Sequence, residues 1–208
     1  MAMGITVIGE RGRMGSRVVA LATGEFFVTD WENADVAIDF SSPKALDEHL
    51  SRAISSKKPL VIGTTGHATD AYSAMQAASQ KIPILFSPNF SLGMAACLEA
   101  VALLAQKLGG TIDIVEAHHA QKKDKPSGTA LLLAQMAGNQ VAIHSIRAGD
   151  IIGDHTVIFT CAGERIELKH QVISRDTFAQ GALKAAKFLK TRPPGLYSLK
   201  DIYEKSSC

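Results

Sequence analysis

Short apolar runs alternate with helical stretches through the first ninety residues, and that alternation restricts the fold more than any other feature. GITVIG (4–9), FFVT (26–29), DVAIDF (35–40), PLVIGTTG (59–66) and IPILFS (82–87) are rich in β-branched or aromatic residues, with Gly, Pro, Asp or Ser at their ends. Their apolar character is nearly continuous, as in strands buried on both faces. A helical pattern begins near Gly12 to Arg17, Pro43 opens another that runs to about Ser55, and residues 69–80 read as a third. Proline suits a first helical turn because the N–H it lacks has no partner there. Strands spaced by helices in this way predict a parallel sheet covered on both sides.

The character changes at SPNFSLG (87–93), where Pro88 and Asn89 break the pattern and a long apolar helix follows to about Leu108. TIDIVEAHH (111–119), VAIHSIR (141–147), HTVIFTC (155–161) and RIELKHQVIS (165–174) are strand-like. Several alternate apolar and polar, as a sheet with one wet face does. TFAQGALKAAKFLK (177–190) is an amphipathic helix closed by Pro193 and Pro194, and the tail LYSLKDIY (196–203) is apolar enough to pack. The expected fold is α/β: a nucleotide-binding half with a parallel sheet, then a smaller α+β half with a mostly open mixed sheet. The C-terminal segment returns to the first half.

Composition narrows the functional classes. Hydrophobic residues make up 46% of the 208, enough for a substantial core. The net charge of +2 gives no general reason to bind nucleic acid. Cys97, Cys161 and Cys208 are odd in number and widely spaced, which argues against a disulfide framework or a zinc site. The histidines form no ligand-spaced cluster, so no metal is expected. MAMGITVIGERG lacks the basic start and long apolar stretch of a secretory signal. The apolar helical segment Gly93 to Ala105 carries Glu99 and is too short to span a bilayer. The expectation is a cytoplasmic protein with no membrane association.

Gly9-Glu10-Arg11-Gly12-Arg13-Met14-Gly15 links the first strand to the first helix. Glycine there lets backbone approach a pyrophosphate, and a helix N-terminus favours negative charge. The pattern is G-x-x-G-x-x-G, with Arg11 where a second glycine is common, and it also fits a ligand-free turn. An acidic residue about 20 residues further on would hold the adenosine ribose. Asp30 lies there, although it suits a strand-ending turn as well. Arg11 or Arg13 would hold a 2′-phosphate, which leaves NADH and NADPH both open. Gly63-Thr64-Thr65-Gly66 ends another strand. It offers hydroxyls and backbone groups to a nicotinamide carboxamide, or simply caps a helix.

EAHHAQKKDKPSGTA (116–130) is locally basic in a nearly neutral chain. His118 and His119 face opposite sides of a strand and so are not two ligands of one metal. His118 can gain or lose a proton near neutral pH, which suits a general acid. Lys122, four residues on, is a point cation for an anionic substrate or a developing charge. Ser127, Gly128 and Thr129 open a helix whose N-terminus would cradle a carboxylate or phosphate. The competing description is a solvated basic loop before a capped helix, and Lys123 and Lys125 fit it.

The same run resembles the signature of the 4-hydroxy-tetrahydrodipicolinate reductase family, E-x-H-x-x-x-K-x-D-x-P-S-G-T-A. Glu116, His118, Lys122, Asp124 and Pro126 to Ala130 match every fixed position. The resemblance extends to G-x-x-G-R-M-G at 9–15, D-F-S-S-P at 39–43, G-T-T-G at 63–66 and N-F-S-L-G at 89–93. It continues in G-D-H at 153–155 and S-R-D-T-F-A-Q-G-A at 174–182. It implies reduction of a cyclic dicarboxylate with NADH or NADPH on the route to diaminopimelate and lysine, by a homotetramer. It implies a Rossmann-type domain over 1–89 and 192–208, and a substrate and tetramerisation domain over 90–191. By position, His118 corresponds to the proton donor and Lys122 to the catalytic lysine. His119, Ser127, Gly128 and Thr129 correspond to the substrate carboxylate site. Gly9, Gly12, Arg13, Met14, Gly15, Gly63, Thr64, Thr65, Phe90 and Arg175 correspond to cofactor positions, with Asp30 at the ribose. The chain is short for the family between the first helix and DVAIDF, which makes Asp30 the position most affected. Two other functions share the glycine turn: a different nicotinamide-dependent reductase of a small amino or keto acid, and an NAD(P)-sensing protein without catalysis. A sensor has no need of the His118–Lys122 pair.

Overall fold

The computed structural model describes residues 2–68, 70–138 and 140–203. Cys208 and the expected helix start at Thr69 lie outside the described residues. The chain forms two compact units, Met1–Phe90 with Asp176–Cys208, and Ser91–Arg175.

In the first unit the apolar runs are strands β1 (Met3–Ile8), β2 (Phe26–Val28), β3 (Val36–Asp39), β4 (Leu60–Ile62) and β5 (Pro83–Phe86). Helices α1 (Gly15–Leu21), α2 (Leu46–Ser55) and α3 (Ala71–Ser79) alternate with them. Pro43 heads a short 3₁₀ turn, Pro43–Ala45, that leads directly into α2. Helix α6 (Asp176–Leu189) and strand β10 (Gly195–Tyr197) return from the C-terminal part of the chain. The sheet order is β10-β5-β4-β3-β1-β2, and every pairing is parallel.

Side chains alternate across such a sheet, so each strand serves two cores. Ala37, Leu60, Ile62 and Ile84 pack with Leu46 and Leu50 of α2 and Met75 of α3. Val36, Ile38, Val61 and Leu85 are fully buried and point to the opposite face. There α6 packs against β3, β4, β5 and α1. Burial of one such aliphatic side chain contributes about 1.5–3 kcal/mol.

The expected domain boundary at 191/192 differs from the compact unit, because α6 belongs to the parallel sheet. Ala179, Ala182, Leu183, Ala185, Ala186 and Leu189 are its buried face. Gly181 sets its closeness: a Cβ there would stand 1.8 Å from the Phe90 carbonyl oxygen. The expected packing of the tail takes the form of β10, which extends the sheet beside β5.

The second unit is a four-stranded sheet in the order β7-β6-β8-β9. Its strands are β6 (Thr111–His118), β7 (Ala142–Arg147), β8 (Asp154–Cys161) and β9 (Glu164–Gln171). β6 and β7 are parallel, which requires the crossover helix α5 (Gly128–Ala137) between them. The other pairings are antiparallel. Helix α4 (Leu92–Leu108) and α5 supply Met94, Val101, Ala130 and Leu133 to a core with Ile114, Val157 and Phe159. Ser91 and Ser127 cap these helices, accepting from the N–H groups of Met94 and Ala130. A short helix, α7 (Lys200–Tyr203), follows β10 in the first unit.

Candidate active site

The first unit gathers glycine turns at the carboxyl ends of β1 and β4. Gly9 has φ +84°, and a Cβ on it would meet the Phe40 carbonyl oxygen at 2.5 Å. A Cβ on Gly15 would lie 2.1 Å from the Gly9 carbonyl oxygen. On Gly63 it would lie 2.1 Å from the Phe40 ring. Gly9 and Gly63 let two turns close around Phe40, and Gly15 lets the start of α1 close on the Gly9 turn. Gly12 donates its N–H to the Gly9 carbonyl oxygen at 2.8 Å and is itself exposed, as is Arg13. Met14 precedes α1 with no side-chain cap, and the first turn of the helix has no acidic residue. An uncapped helix start with no acidic residue in its first turn, behind a turn with glycine at 9, 12 and 15, fits a dinucleotide pyrophosphate.

Three expected cofactor residues are engaged elsewhere. Asp30 accepts from the Asn33 backbone N–H at 2.9 Å and from the Asn33 side chain at 2.8 Å, so it ties the turn after β2. Thr64 departs from the expectation that its hydroxyl faces a ligand. The residue is 5% exposed, donates to Asp39 at 3.1 Å and accepts from the Ser41 N–H at 3.0 Å. Thr65 and Gly66 are the exposed residues of that turn. Phe90 is a core residue whose ring meets Phe40 edge-on, with centroids 5.6 Å apart. Arg175 is half-buried just before α6.

Asp39 organises this end of the sheet and was not foreseen. It is 1% exposed and accepts from the Ser41 backbone at 2.8 Å, the Ser41 hydroxyl at 2.6 Å and His49 at 2.8 Å. A carboxylate buried that deeply must be paired, and the paired loops are those beside the glycine turns.

In the second unit, the carboxyl end of β6 carries a polar cluster inside an apolar frame. Register places Ser145, Glu116, His155 and His170 in one row across the sheet, with Arg147 beside His118. Glu116 is fully buried. Its Oε2 meets His118 Nδ1 at 2.5 Å, and its two oxygens accept from Arg147 Nη1 at 2.9 Å and Nη2 at 2.8 Å. The Ser127 N–H also reaches it at 3.3 Å. Burial pushes the Glu116 carboxyl up, but hydrogen bonds from Arg147, Ser145 and His118 outweigh it and hold the group at about 2. An ionised carboxylate has no hydrogen to give, so His118 Nδ1 is the donor in that contact.

Burial pushes the His118 imidazolium down from its ordinary value. Glu116 opposes this shift, while the charges of Lys122 and Arg147 add to it. His155 lies with its ring centroid 5.2 Å from that of His118, and burial, then the His118 charge, lowers it to about 4. His155 Nε2 contacts the Ser127 hydroxyl at 3.3 Å, at the start of α5. Lys122 is half-buried and pairs with Asp124 at 2.9 Å. The strand end therefore brings together His118, Lys122, Ser127 and the head of α5, where Gly128 is exposed and Thr129 half-buried. His119 follows the strand; its Nδ1 is buried without a hydrogen-bond partner. Lys123 and Lys125 are exposed.

Sequence reasoning gave no role to Arg147, His155 or Ser145, although it read their strands. Glu116 was the available signal: a carboxylate in an apolar strand demands a buried cation. Among the described residues, no group of three His, Cys, Asp or Glu side chains is placed to hold a metal.

A parallel sheet with a glycine turn fit for a pyrophosphate, and a mixed sheet with a paired histidine beside a lysine, define a two-unit nicotinamide-dependent oxidoreductase. Comparison with known proteins makes the class specific. The model described as dihydrodipicolinate reductase, N-terminus, matches residues 25–90, and that described as dihydrodipicolinate reductase, C-terminus, matches 92–203. The chain is 39% identical to a 4-hydroxy-tetrahydrodipicolinate reductase of Pseudoalteromonas atlantica, over 96% of this chain and 84% of the relative. It is 49% identical to that of Stenotrophomonas maltophilia, over 82% and 73%. With that of Thermosipho africanus it shares 38% identity over 96% and 97%, so that relative has little length the chain lacks. A dipicolinate-bound dihydrodipicolinate reductase from Paenisporosarcina sp. TG-14 shares the fold, with a TM-score of 0.81 at 22% identity over 97% of this chain and all of that one. The chain belongs to the 4-hydroxy-tetrahydrodipicolinate reductase family, whose members are NAD(P)H-dependent oxidoreductases.

Proposed function

We propose that the chain reduces 4-hydroxy-tetrahydrodipicolinate to tetrahydrodipicolinate, in diaminopimelate and lysine biosynthesis, with the second unit as its substrate site. The observation that carries this reading is the His118–Glu116 pair beside Lys122 and the start of α5. The first unit holds the cofactor through the turns Gly9–Gly15 and Gly63–Thr65. Gly12, Arg13, Met14 and Gly15 would hold the pyrophosphate and the Gly63–Thr65 turn the nicotinamide, with Asp30 and Arg175 as further contacts. Loss of water across C3 and C4 of the substrate gives the conjugated ring, and bound reduced nicotinamide would supply a hydride to its C4. Lys122 balances the changing charge at the ring nitrogen and holds a carboxylate. Ser127, Gly128 and Thr129 hold a carboxylate at a helix N-terminus, with His119 as a further contact. His118 delivers the proton that C3 then requires, from Nε2, because Nδ1 is committed to Glu116.

A homotetramer and a cytoplasmic location complete the reading. Within the second unit both helices pack on one face of the sheet. The other face presents Asp113, Val115, Ala117, Thr156 and Ile158, all half-buried and of mixed polarity, which suits a sheet-to-sheet contact. A monomeric mass by light scattering would contradict it. Among the described residues no helix is long and apolar enough to cross a membrane.

The decisive experiment follows NADH and NADPH absorbance with freshly generated substrate. Oxidation of at least one cofactor is expected, and His118→Gln or Lys122→Ala should lower kcat on the order of 10² to 10⁴. No oxidation of either cofactor, or unchanged turnover in both variants, would sink the assignment.

A further inference from the structure

The geometry points to Glu116 as the positioning residue that fixes which nitrogen of His118 carries the transferable proton, and to Arg147 as the residue that holds Glu116 in place. This inference rests on the reading of His118 as the proton donor and extends it to residues that touch no substrate.

Four observations support it. First, Glu116 is completely buried and His118 is 8% exposed, so water does not compete for their contact of 2.5 Å. Second, Arg147 meets both Glu116 oxygens in a parallel fork, at 2.9 and 2.8 Å. That geometry belongs to a guanidinium and a carboxylate, and a lysine does not reproduce it. Third, the Ser127 N–H takes a further acceptor site on Glu116, so the carboxylate cannot rotate away without breaking several bonds. Fourth, the same guanidinium reaches the carbonyl oxygens of Asp124 at 2.5 Å and Lys122 at 3.3 Å. One side chain thus ties the partner of His118 to the loop that carries Lys122.

The consequence for the proton is definite. Neutral imidazole holds one hydrogen on either ring nitrogen, and only Nδ1–H satisfies Glu116. The proton that His118 gains or loses is therefore on Nε2, where a Cβ on Gly153 would stand only 3.2 Å away. In the transfer, the Nε2–H bond breaks and a C–H bond forms at the substrate ring. The imidazolium becomes neutral imidazole, and solvent restores the proton. Glu116 stays ionised throughout.

The charged and titratable groups around His118 are Glu116 on its own strand, Arg147 on β7, His155 on β8 and Lys122 in the following loop. Of these only Glu116 favours the imidazolium. Removal of its charge must lower the pH at which His118 loses its proton, and activity that needs imidazolium must fail earlier as pH rises.

The test has two arms. In the wild-type protein, ¹⁵N spectroscopy of His118 above its titration should show hydrogen on Nδ1; hydrogen on Nε2 overturns the proposal and requires no variant. In Glu116→Gln, kcat should fall on the order of 10²-fold with little change in KM. The alkaline limb of its pH profile should move down by about one pH unit. An unmoved limb, or a loss confined to KM, overturns the positioning role. Arg147→Lys keeps a positive charge but not the fork, and should give a smaller shift in the same direction. A wild-type protein that oxidises neither cofactor would instead refute the reaction, while the tautomer result would still stand or fall independently.

Discussion

The two units build their sites by opposite means. At the parallel sheet, space is made by leaving side chains out: Gly9, Gly15 and Gly63 stand where any Cβ would collide with Phe40 or the turn itself. At the mixed sheet, function comes from side chains packed in: Glu116, His118, Arg147 and His155 are buried and charged or chargeable. The first arrangement presents backbone to a ligand and fails when bulk is added. The second stores charge inside low-dielectric surroundings and fails when a partner is removed. Binding a large anion and moving a proton, the roles proposed for the two sheet ends, place different demands on a site, and the two ends differ in residue chemistry accordingly.

The sharpest way to break this contrast is to remove a partner at the mixed sheet. Arg147→Ala leaves Glu116 buried without its cation; the pair's side chains are 6% and 0% exposed. A loss of about 3–5 kcal/mol is expected, read as a lower urea midpoint. The pH dependence carries a sign. Glu116 titrates at about 2 against an ordinary 4.5. Its contribution is therefore present above 4.5 and lost as pH falls toward 2. In the variant, burial is opposed only by the bonds from Ser145, His118 and the Ser127 N–H, so the carboxyl rises and the gap to wild type should narrow in acid. A gap that does not change with pH would mean the ion pair is not what stabilises this sheet end.

His155 gives the next largest effect in a different pH window. It is buried and titrates at about 4, against an ordinary 6.5. The unfolded chain takes up its proton first, so stability is full above 6.5 and declines as pH falls from 6.5 to 4. The drop amounts to about 2–3 kcal/mol. His155→Asn should flatten that slope while leaving the more acidic Glu116 transition visible. An unaltered slope would place the neutral histidine elsewhere.

Much of this could be read in the sequence where function lies in a contiguous run. The glycine turns and EAHHAQKKDKPSGTA are local, so the strand and the Ser127 helix cap followed from spacing, with His118 and Lys122 as candidates for a proton and a charge. Arg147 and His155 lie 31 and 39 positions from Glu116 and meet it only through strand register, which local pattern does not specify. Helix α6 was expected in the second domain for a related reason: its amphipathic pattern does not say which sheet it covers, and its packing on β3, β4, β5 and α1 is a matter of tertiary contact. Thr64 turned inward because buried Asp39 needed donors, a demand invisible in G-T-T-G alone.

Glycine substitutions sharpen the contrast at lower energy. Gly15→Ala drives a Cβ against backbone and should cost about 1–3 kcal/mol, with weaker cofactor binding. Gly128→Ala is the counter-case. Nothing lies within 4 Å of a Cβ there, and the residue has no positive φ. Its stability should hold or improve by about 0.4–1 kcal/mol, while substrate KM rises because the methyl occupies the carboxylate's approach. A Gly128→Ala protein as unstable as Gly15→Ala would erase the distinction between a glycine kept for the fold and one kept for a ligand.

The smallest effect concerns the lysines around Lys122. Lys122 is half-buried and fixed by Asp124, whereas Lys123 and Lys125 are exposed. An exposed cation adds only to the loop's local potential, which salt screens over roughly 8–10 Å. Lys123→Ala and Lys125→Ala should each leave stability within about 0.5 kcal/mol and kcat unchanged. Any effect should be a rise in KM at low ionic strength, of about twofold, that vanishes with added salt. A fall in kcat in either variant would mean that the loop's charge works collectively, and Lys122 would lose its separate standing.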